Sequence, residues 1–186
     1  LPAALLQHLG KKFNAWHLAI PILEHQALLY PQEPQRYDAL SALRTALGER
    51  DSFCSLWARR ATHPETRLAL ALEQYGAWTA AQQAYVDCMT RWQAGETVLI
   101  NTPRAELQLW EEGVLRSAKK LNQWELLSEF AKQTQQPQLL MECSWKTSAW
   151  ELLKDLFNRY SLPELPSIKM LQTYAFIHEG KLQEAE

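Results

Sequence analysis

The sequence predicts an all-α protein, an irregular α-solenoid of tetratricopeptide-like helical hairpins. A six-residue pattern recurs six times along the 186 residues: a turn-prone residue, any residue, a bulky apolar residue, two further residues, and a small or aliphatic one. Proline falls where one hairpin gives way to the next, as expected of a residue tolerated in the first helical turn and disfavoured inside a helix. Strand signals are almost absent, and we predict a loop for the β-branched segment 97–100.

The repeated pattern predicts a helix end, a turn and the restart of an amphipathic helix. Its first position favours residues that adopt left-handed backbone angles, and its third and sixth positions share one face of the next helix. The copies begin at Asn14, Asp51, Gly76, Asn122, Ser148 and Gly180. Their spacing runs from 25 to 46 residues, whereas a regular tetratricopeptide array repeats about every 34. We therefore expect helices of unequal length, stabilised mainly by contacts between neighbours.

The helices are predicted in order from these turns and from the prolines. We expect hairpin partners to pair in sequence, first with second and third with fourth. Thr62 and Glu65 flank Pro64 as in a capping box, Thr102-Pro103 is a second helix start, and Pro21 is expected to kink its helix. The predicted helices are 2–9, 13–29, 35–47, 50–61, 64–75, 77–92, 104–121, 123–133, 137–147, 149–159, 166–179 and 181 onward.

Eight tryptophans are a heavy aromatic load for a chain of this length. Trp16, Trp78, Trp124 and Trp150 hold the repeat position, so we predict that they fill the core between helices. For the other four, near helix ends or on flanking helices, we expect buried rings whose indole N–H donates to a carbonyl. An exposed tryptophan would be a candidate hot spot for a partner protein.

Composition excludes several classes of protein. Hydrophobic residues make up 47% of the chain and charged residues 22%, which is ordinary for a folded domain. The net charge of −2 leaves no basic excess for phosphates, so nucleic acid is not expected as a direct ligand. Cys54, Cys88 and Cys143 are far apart, which argues against disulfides and zinc and indicates a reducing compartment.

We expect neither a membrane-spanning helix nor a signal peptide. No apolar run of sufficient length is present, and the first residues lack a basic leader. The last five residues, 182–186, resemble the start of a helix, and we expect the chain to be a stretch of a longer protein.

No catalytic constellation is found in the sequence. The five histidines, His8, His17, His25, His63 and His178, have no metal-binding spacing, and we expect them at helix surfaces. No nucleophile elbow or phosphate-binding glycine loop is present, and glycines other than Gly113 are expected in turns. Paired carboxylates such as Glu111-Glu112 and basic pairs such as Lys119-Lys120 are expected on solvated faces and helix ends. We therefore predict no enzyme and no catalytic, cofactor-binding or metal-binding residue.

Several tryptophan-containing words resemble one known family. Lys11-Lys12-Phe13-Asn14-Ala15-Trp16 resembles the opening of the FAT domain of the TRRAP family. Further similar words are Gln108-Leu109-Trp110-Glu111, Leu121-Asn122-Gln123-Trp124 and Glu142-Cys143-Ser144-Trp145. They occur in the family's order along essentially the whole chain. The match is weaker over 86–103 and only general from Ser161 onward.

The resemblance implies a function that the periodicity alone does not. TRRAP-like proteins are very large nuclear pseudokinases of the phosphatidylinositol-3-kinase-related kinase superfamily, built of helical repeats. They act as activator-docking scaffolds of SAGA and a second histone acetyltransferase complex. Residues 1–186 would then be part of a FAT-type domain, a non-catalytic scaffold segment. Its partners would be complex subunits and activators, without a cofactor, membrane or small-molecule ligand.

Two other functions fit the same residues. One is a FAT segment of an active kinase of the superfamily, which chemistry in this chain cannot separate because catalytic residues would lie well downstream. The resemblance around Asn122 and Trp145 favours the pseudokinase branch. A generic tetratricopeptide adaptor is the other alternative and would predict a more even period; an RNA-processing repeat protein would predict a more basic face.

Overall fold

The computed structural model describes residues 1–99, 101–160, 166–178 and 180. Within these residues the chain forms eleven α-helices and no strand, which confirms the predicted all-α fold of helical hairpins. The helices are α1 (Ala3–Phe13), α2 (Trp16–Leu29), α3 (Pro34–Leu47), α4 (Arg50–Arg60), α5 (Pro64–Gln74), α6 (Trp78–Gln93), α7 (Arg104–Lys120), α8 (Trp124–Gln133), α9 (Pro137–Lys146), α10 (Trp150–Arg159) and α11 (Pro166–His178). The predicted twelfth helix, from 181 onward, lies outside the described residues, as does most of the sixth repeat copy.

The repeated pattern corresponds to a repeated backbone connection. A left-handed residue ends one helix, the next residue has φ near −80° and ψ between 42° and 77°, and the third begins the following helix. At Gly76, φ is +76°, and Ala77 N–H donates to Leu72 C=O at 2.9 Å. At Ser148, φ is +56°, and the equivalent bond from Ala149 is 2.8 Å long. This is a Schellman motif, which satisfies the last carbonyls of the helix.

The second predicted copy is placed wrongly. Asp51 lies inside α4, and the left-handed residue is Gly48, with φ of +72°. The correct copy is Gly48-x-Arg50-x-x-Phe53, in which Arg50 begins the helix and Phe53 is buried. Arginine thus replaces the aromatic residue that begins α2, α6, α8 and α10.

The break between the first two helices is also later than predicted. We expected a gap between residue 9 and residue 13, but α1 continues to Phe13 and ends at Asn14, where φ is +54°. Gly10 is buried inside α1 rather than in a turn, and a Cβ atom there would lie 2.9 Å from the side chain of Leu43. The absence of a Cβ atom at Gly10 therefore permits close packing of α1 against α3.

The chain divides into two compact units, residues 1–117 and 118–186. In the first unit, packing is continuous rather than pairwise: α2 packs on α3 and α4 on α5, across the predicted hairpin boundaries, and α1 contacts both α2 and α3. Its core includes the buried side chains of Leu23, Leu43, Trp57, Tyr85 and Trp110. In the second unit, α8 packs on α9, α9 on α10 and α10 on α11 around Met141 and Leu153.

Two predicted local features have mixed outcomes. Pro21 lies within α2 as expected, and the bend that we predict there stays a prediction. The segment from Thr97 to Leu99 is a turn, as predicted, and Leu99 is buried. Ile100 lies outside the described residues.

Candidate interaction surface

The residues that the structure describes form neither a metal-binding group nor a membrane-spanning helix. They contain no group of three or more histidine, cysteine or carboxylate side chains placed to hold a metal ion. None of their helices combines the length and the apolar character needed to cross a bilayer.

The tryptophans are distributed differently from the prediction. Those at the repeat position, Trp16, Trp78, Trp124 and Trp150, are only half-buried. Trp110, by contrast, is 0% exposed and Trp57 is 5% exposed. Both indole N–H groups donate to hydroxyl oxygens rather than carbonyls: Trp110 to Thr66 at 2.8 Å and Trp57 to Ser41 at 3.0 Å. Of the other two, Trp92 is 38% exposed and Trp145 is half-buried, so the prediction of buried rings is confirmed only for Trp57 and Trp110. The deepest aromatic packing therefore lies outside the repeat position.

A buried polar network joins the start of α5 to α7. The carboxylate of Glu106, 1% exposed, accepts hydrogen bonds from Thr62 N–H at 2.9 Å and His63 N–H at 3.2 Å. It also accepts one from the Thr66 hydroxyl at 2.6 Å. His63 is the residue before α5 and makes no side-chain cap. A carboxylate from a distant helix therefore satisfies N–H groups at the start of α5.

This network corrects two predictions. The predicted capping box is wrong, because His63 rather than Thr62 is the residue before α5 and it makes no side-chain cap. The Glu65 carboxylate accepts a hydrogen bond from its own backbone N–H, which with Arg91 lowers its pKa. His63 was expected at the surface but is buried, with its ring nitrogen 2.9 Å from the Thr102 hydroxyl. The other four histidines are exposed.

A second buried carboxylate fastens α4 to α5 and α7. Glu73 pairs with Arg50 and with Arg116, the latter at 3.1 Å. Both guanidinium groups also lie over the ring of Phe53, 5.8 and 5.4 Å from its centroid. Because the buried charge is paired on two sides, its desolvation cost is offset.

The three cysteines are buried and free. Burial raises the pKa of Cys54 and Cys143, and it raises the pKa of Cys88 to about 11. Since the thiolate is the reactive form of cysteine, these thiols are poor nucleophiles.

A groove of about 510 Å³ opens between α2 and α4. Its floor is formed by α3, which contributes Tyr37, Leu40 and Arg44. Of the three helices, α3 runs antiparallel to α2, and α4 runs antiparallel to α3. The hydroxyl of Tyr37, at the start of α3, donates to Ala27 C=O, near the end of α2, at 3.2 Å. At the same end of the groove, Arg60 in the last turn of α4 pairs with Asp38 at 2.5 Å.

The two ends of the groove carry opposite charge. At one end, Arg44 is already bonded to Glu24 and Glu49, and Asp51 adds a further exposed carboxylate. At the other end stands Arg59, in the last turn of α4. Apolar residues line the space between.

The second unit presents an aromatic surface of its own. The rings of Trp145 and Tyr174 stack at 5.8 Å, and those of Trp150 and His178 at 4.5 Å. The ammonium group of Lys146 lies 4.4 Å from the centroid of Trp145. These contacts join α9 and α10 to α11.

Comparison with known proteins identifies the relatives of this sequence. No family model matches the chain. It is 31% identical to the probable transcription-associated protein 1 of Dictyostelium discoideum over 191 residues, covering 100% of the chain. It is 32% identical over 186 residues, 95% of the chain, to the SAGA complex/NuA4 acetyltransferase complex subunit Tra1 of Schizosaccharomyces pombe. The chain is homologous to one segment of the TRRAP/Tra1 proteins.

Other TRRAP/Tra1 relatives extend this match to animals. The human transformation/transcription domain-associated protein is 34% identical over 176 residues, 81% of the chain. The chain spans only 4% to 5% of the length of these three relatives. The similarity therefore concerns one segment of very long proteins.

Proposed function

We propose that this chain is a non-catalytic scaffold segment of a transcription coactivator. Residues 1–186 would form part of the FAT-type helical-repeat domain of a TRRAP-like pseudokinase. In this proposal the protein is nuclear and links transcription activators to histone acetyltransferase complexes such as SAGA. The observation that carries the proposal is the match, at 32% identity over 95% of the chain, to a protein named as a SAGA and NuA4 complex subunit.

The use of the buried polar groups supports a structural role. The carboxylate of Glu106 accepts hydrogen bonds from α5, and that of Glu73 is held by two arginines. The cysteine thiols have raised pKa values. These two carboxylates hold helices together, and the three buried thiols are kept in their unreactive form. The net charge of −2 favours protein partners over direct nucleic-acid binding.

The experiment that tests this proposal is affinity purification of the full-length protein from nuclear extract, followed by mass spectrometry. Acetyltransferase, deubiquitinase-module or TBP-associated subunits in stoichiometric amounts are the expected result. A set of chaperone substrates, or kinase cofactors without acetyltransferase subunits, would overturn it.

The second candidate is a FAT segment of an active kinase of the same superfamily. Its catalytic residues would lie in another part of the protein, so helix packing alone does not separate the two. The names of the relatives described above, all transcription-associated proteins or acetyltransferase-complex subunits, favour the coactivator. Phosphoryl transfer by the purified full-length protein to a generic substrate, abolished by a metal chelator, would instead support the kinase. A generic tetratricopeptide adaptor would give neither result.

A further inference from the structure

The groove between α2 and α4 is a candidate binding site built from described residues. We propose that it receives one amphipathic helix of a partner protein, a helix with an acidic residue in its first turn and a basic residue in its last turn. This inference rests on the proposed scaffold function for the origin of the partner, whereas the chemistry of the site comes from the groove itself.

The shape of the groove fits the side chains of a single helix face. Its volume of about 510 Å³ is too small for a whole helix but sufficient for several side chains. Leu40 is buried in the floor, Leu56 stands half-buried on the α4 wall, and Leu28 is 71% exposed at the α2 wall. Ser52 and Ser55 are small, so they leave room beside these leucines. Helix-in-groove recognition uses apolar side chains at spacings of three and four residues in this way.

The charges along α4 define the polarity of the occupant. Among the described residues, neither Asp51 in the first turn of α4 nor Arg59 in its last turn has an ion-pair or hydrogen-bond partner. They are separated by two helical turns, or about 12 Å at 1.5 Å per residue. An occupant must therefore place a cation near Asp51 and an anion near Arg59, about seven or eight positions apart.

The direction of the bound helix follows from its own dipole. Acidic residues are stabilising in the first turn of a helix and basic residues in the last. The N-terminus of the occupant would then lie beside Arg59 and its C-terminus beside Asp51. Because α4 runs the opposite way, the partner helix would be antiparallel to α4, as α3 is.

Small ligands fit the same groove less well. Arg44 is already bonded to the carboxylates of Glu24 and Glu49, so an anionic ligand would find one free guanidinium, that of Arg59, among the described groove residues. The carboxylates at the other end form no metal-binding group within the described chain. Two opposite charges at separate ends with apolar residues between them suit an extended amphipathic ligand.

The experiment places the photoreactive amino acid p-benzoylphenylalanine at Ser55 in the full-length protein. The assembled complex is purified and irradiated, and the cross-linked peptide is identified by mass spectrometry. We expect an adduct with a helix of another subunit that carries an acid and a base seven or eight positions apart. The same amino acid at Glu111, on the exposed face of α7, is the matched control and should not capture that helix.

A charge-reversal series then tests the polarity. A synthetic peptide of the captured segment should bind the full-length Arg59→Glu variant at least roughly tenfold more weakly, because like charges then face each other. Lys12→Glu, also in the last turn of its helix, should change the affinity less than about twofold. Circular dichroism of both variants checks that the helices are retained.

Several results would overturn the inference. They are an adduct within the same polypeptide, an adduct with a second copy of the chain, a captured segment without the charge pair, and no adduct in the assembled complex. An equal effect of Arg59→Glu and Lys12→Glu would also overturn it. These outcomes leave the scaffold proposal standing if acetyltransferase subunits copurify, while absence of those subunits refutes the scaffold proposal whatever the groove captures.

Discussion

Glu106 is the residue whose replacement tests the packing of α5 on α7 most directly. Its carboxylate accepts three hydrogen bonds, two from backbone N–H groups and one from Thr66. The change Glu106→Gln keeps the size of the side chain but removes the charge. It also places an NH2 group against one of the three donors whose hydrogen bonds the carboxylate accepts.

The expected loss follows from these three bonds. Hydrogen bonds to a charged group contribute about 1.5–3 kcal/mol each, and neutral ones about 1. One bond is lost outright in Glu106→Gln and two are converted from charged to neutral acceptors. From the lower ends of these values we expect the free energy of unfolding to fall by at least about 2.5 kcal/mol for Glu106→Gln, and by at least about 4.5 kcal/mol for Glu106→Ala, which loses all three bonds and leaves buried donors without a partner.

Urea denaturation followed by circular dichroism measures this change. The matched control is Glu111→Gln, on the same helix but exposed, which should alter stability by less than about 0.5 kcal/mol. If Glu106→Gln and Glu111→Gln had the same small effect, the carboxylate would not stabilise the start of α5, and the assignment of the network would be refuted.

Four further substitutions test other parts of the packing. Gly113→Ala should destabilise by about 1–3 kcal/mol in urea melts, because a Cβ atom there would lie 2.5 Å from the buried ring of Tyr85; a neutral result would contradict the close approach. Trp110→Ala should cost about 3–5 kcal/mol, and Trp124→Ala clearly less because its ring is half-buried; the reverse order would refute the burial pattern. Burial raises the pKa of Cys88 from 9.0 to about 11, so the unfolded chain loses this proton first and stability should fall as pH rises from 9 to 11. The stability difference between wild type and Cys88→Ala should shrink over that range, and a constant difference would refute the shift.

Four of the turns between helices were predictable because their causes are local. Asn14, Gly76, Asn122 and Ser148 were chosen as turn residues for their tolerance of left-handed angles, and all four have positive φ. A Schellman motif needs only one such residue and the carbonyls of the preceding turn. Short-range sequence therefore contains the whole reason for the connection.

The buried polar residues could not be predicted in the same way. Glu106 looks like an ordinary acidic residue in the first turn of α7, yet its partners lie 40 to 44 positions earlier. The partner Arg116 of Glu73 is 43 positions away. The burial of these carboxylates depends on which helices meet, and no local spacing encodes it. The groove was missed for the same reason, since its walls come from α2 and α4.

The misplaced repeat copy did contain a usable signal. Gly48, three residues before Asp51, begins a copy in the correct register, in which Arg50 stands where other copies have tryptophan. The predicted copy begins at Asp51 instead, because the pattern requires a bulky apolar residue at the third position and Phe53 stands there. A backbone requirement for the left-handed residue is stricter than a preference for an aromatic ring, and it should have decided the register.

This exception also explains why the groove lies beside α4. Arg50 fastens α4 to α5 through Glu73, and Arg116 extends the same ion-pair cluster to α7. Since α4 is held on that side by ion pairs, its opposite face need not bury large side chains, and it carries Ser52 and Ser55 toward α2. Where α2, α6, α8 and α10 begin with tryptophan, α4 begins with a paired arginine, and it lines an open groove of polar and apolar residues. The departure from the repeat can be read in the sequence once the left-handed glycine is placed, and it marks the helix beside which we propose that a partner helix binds.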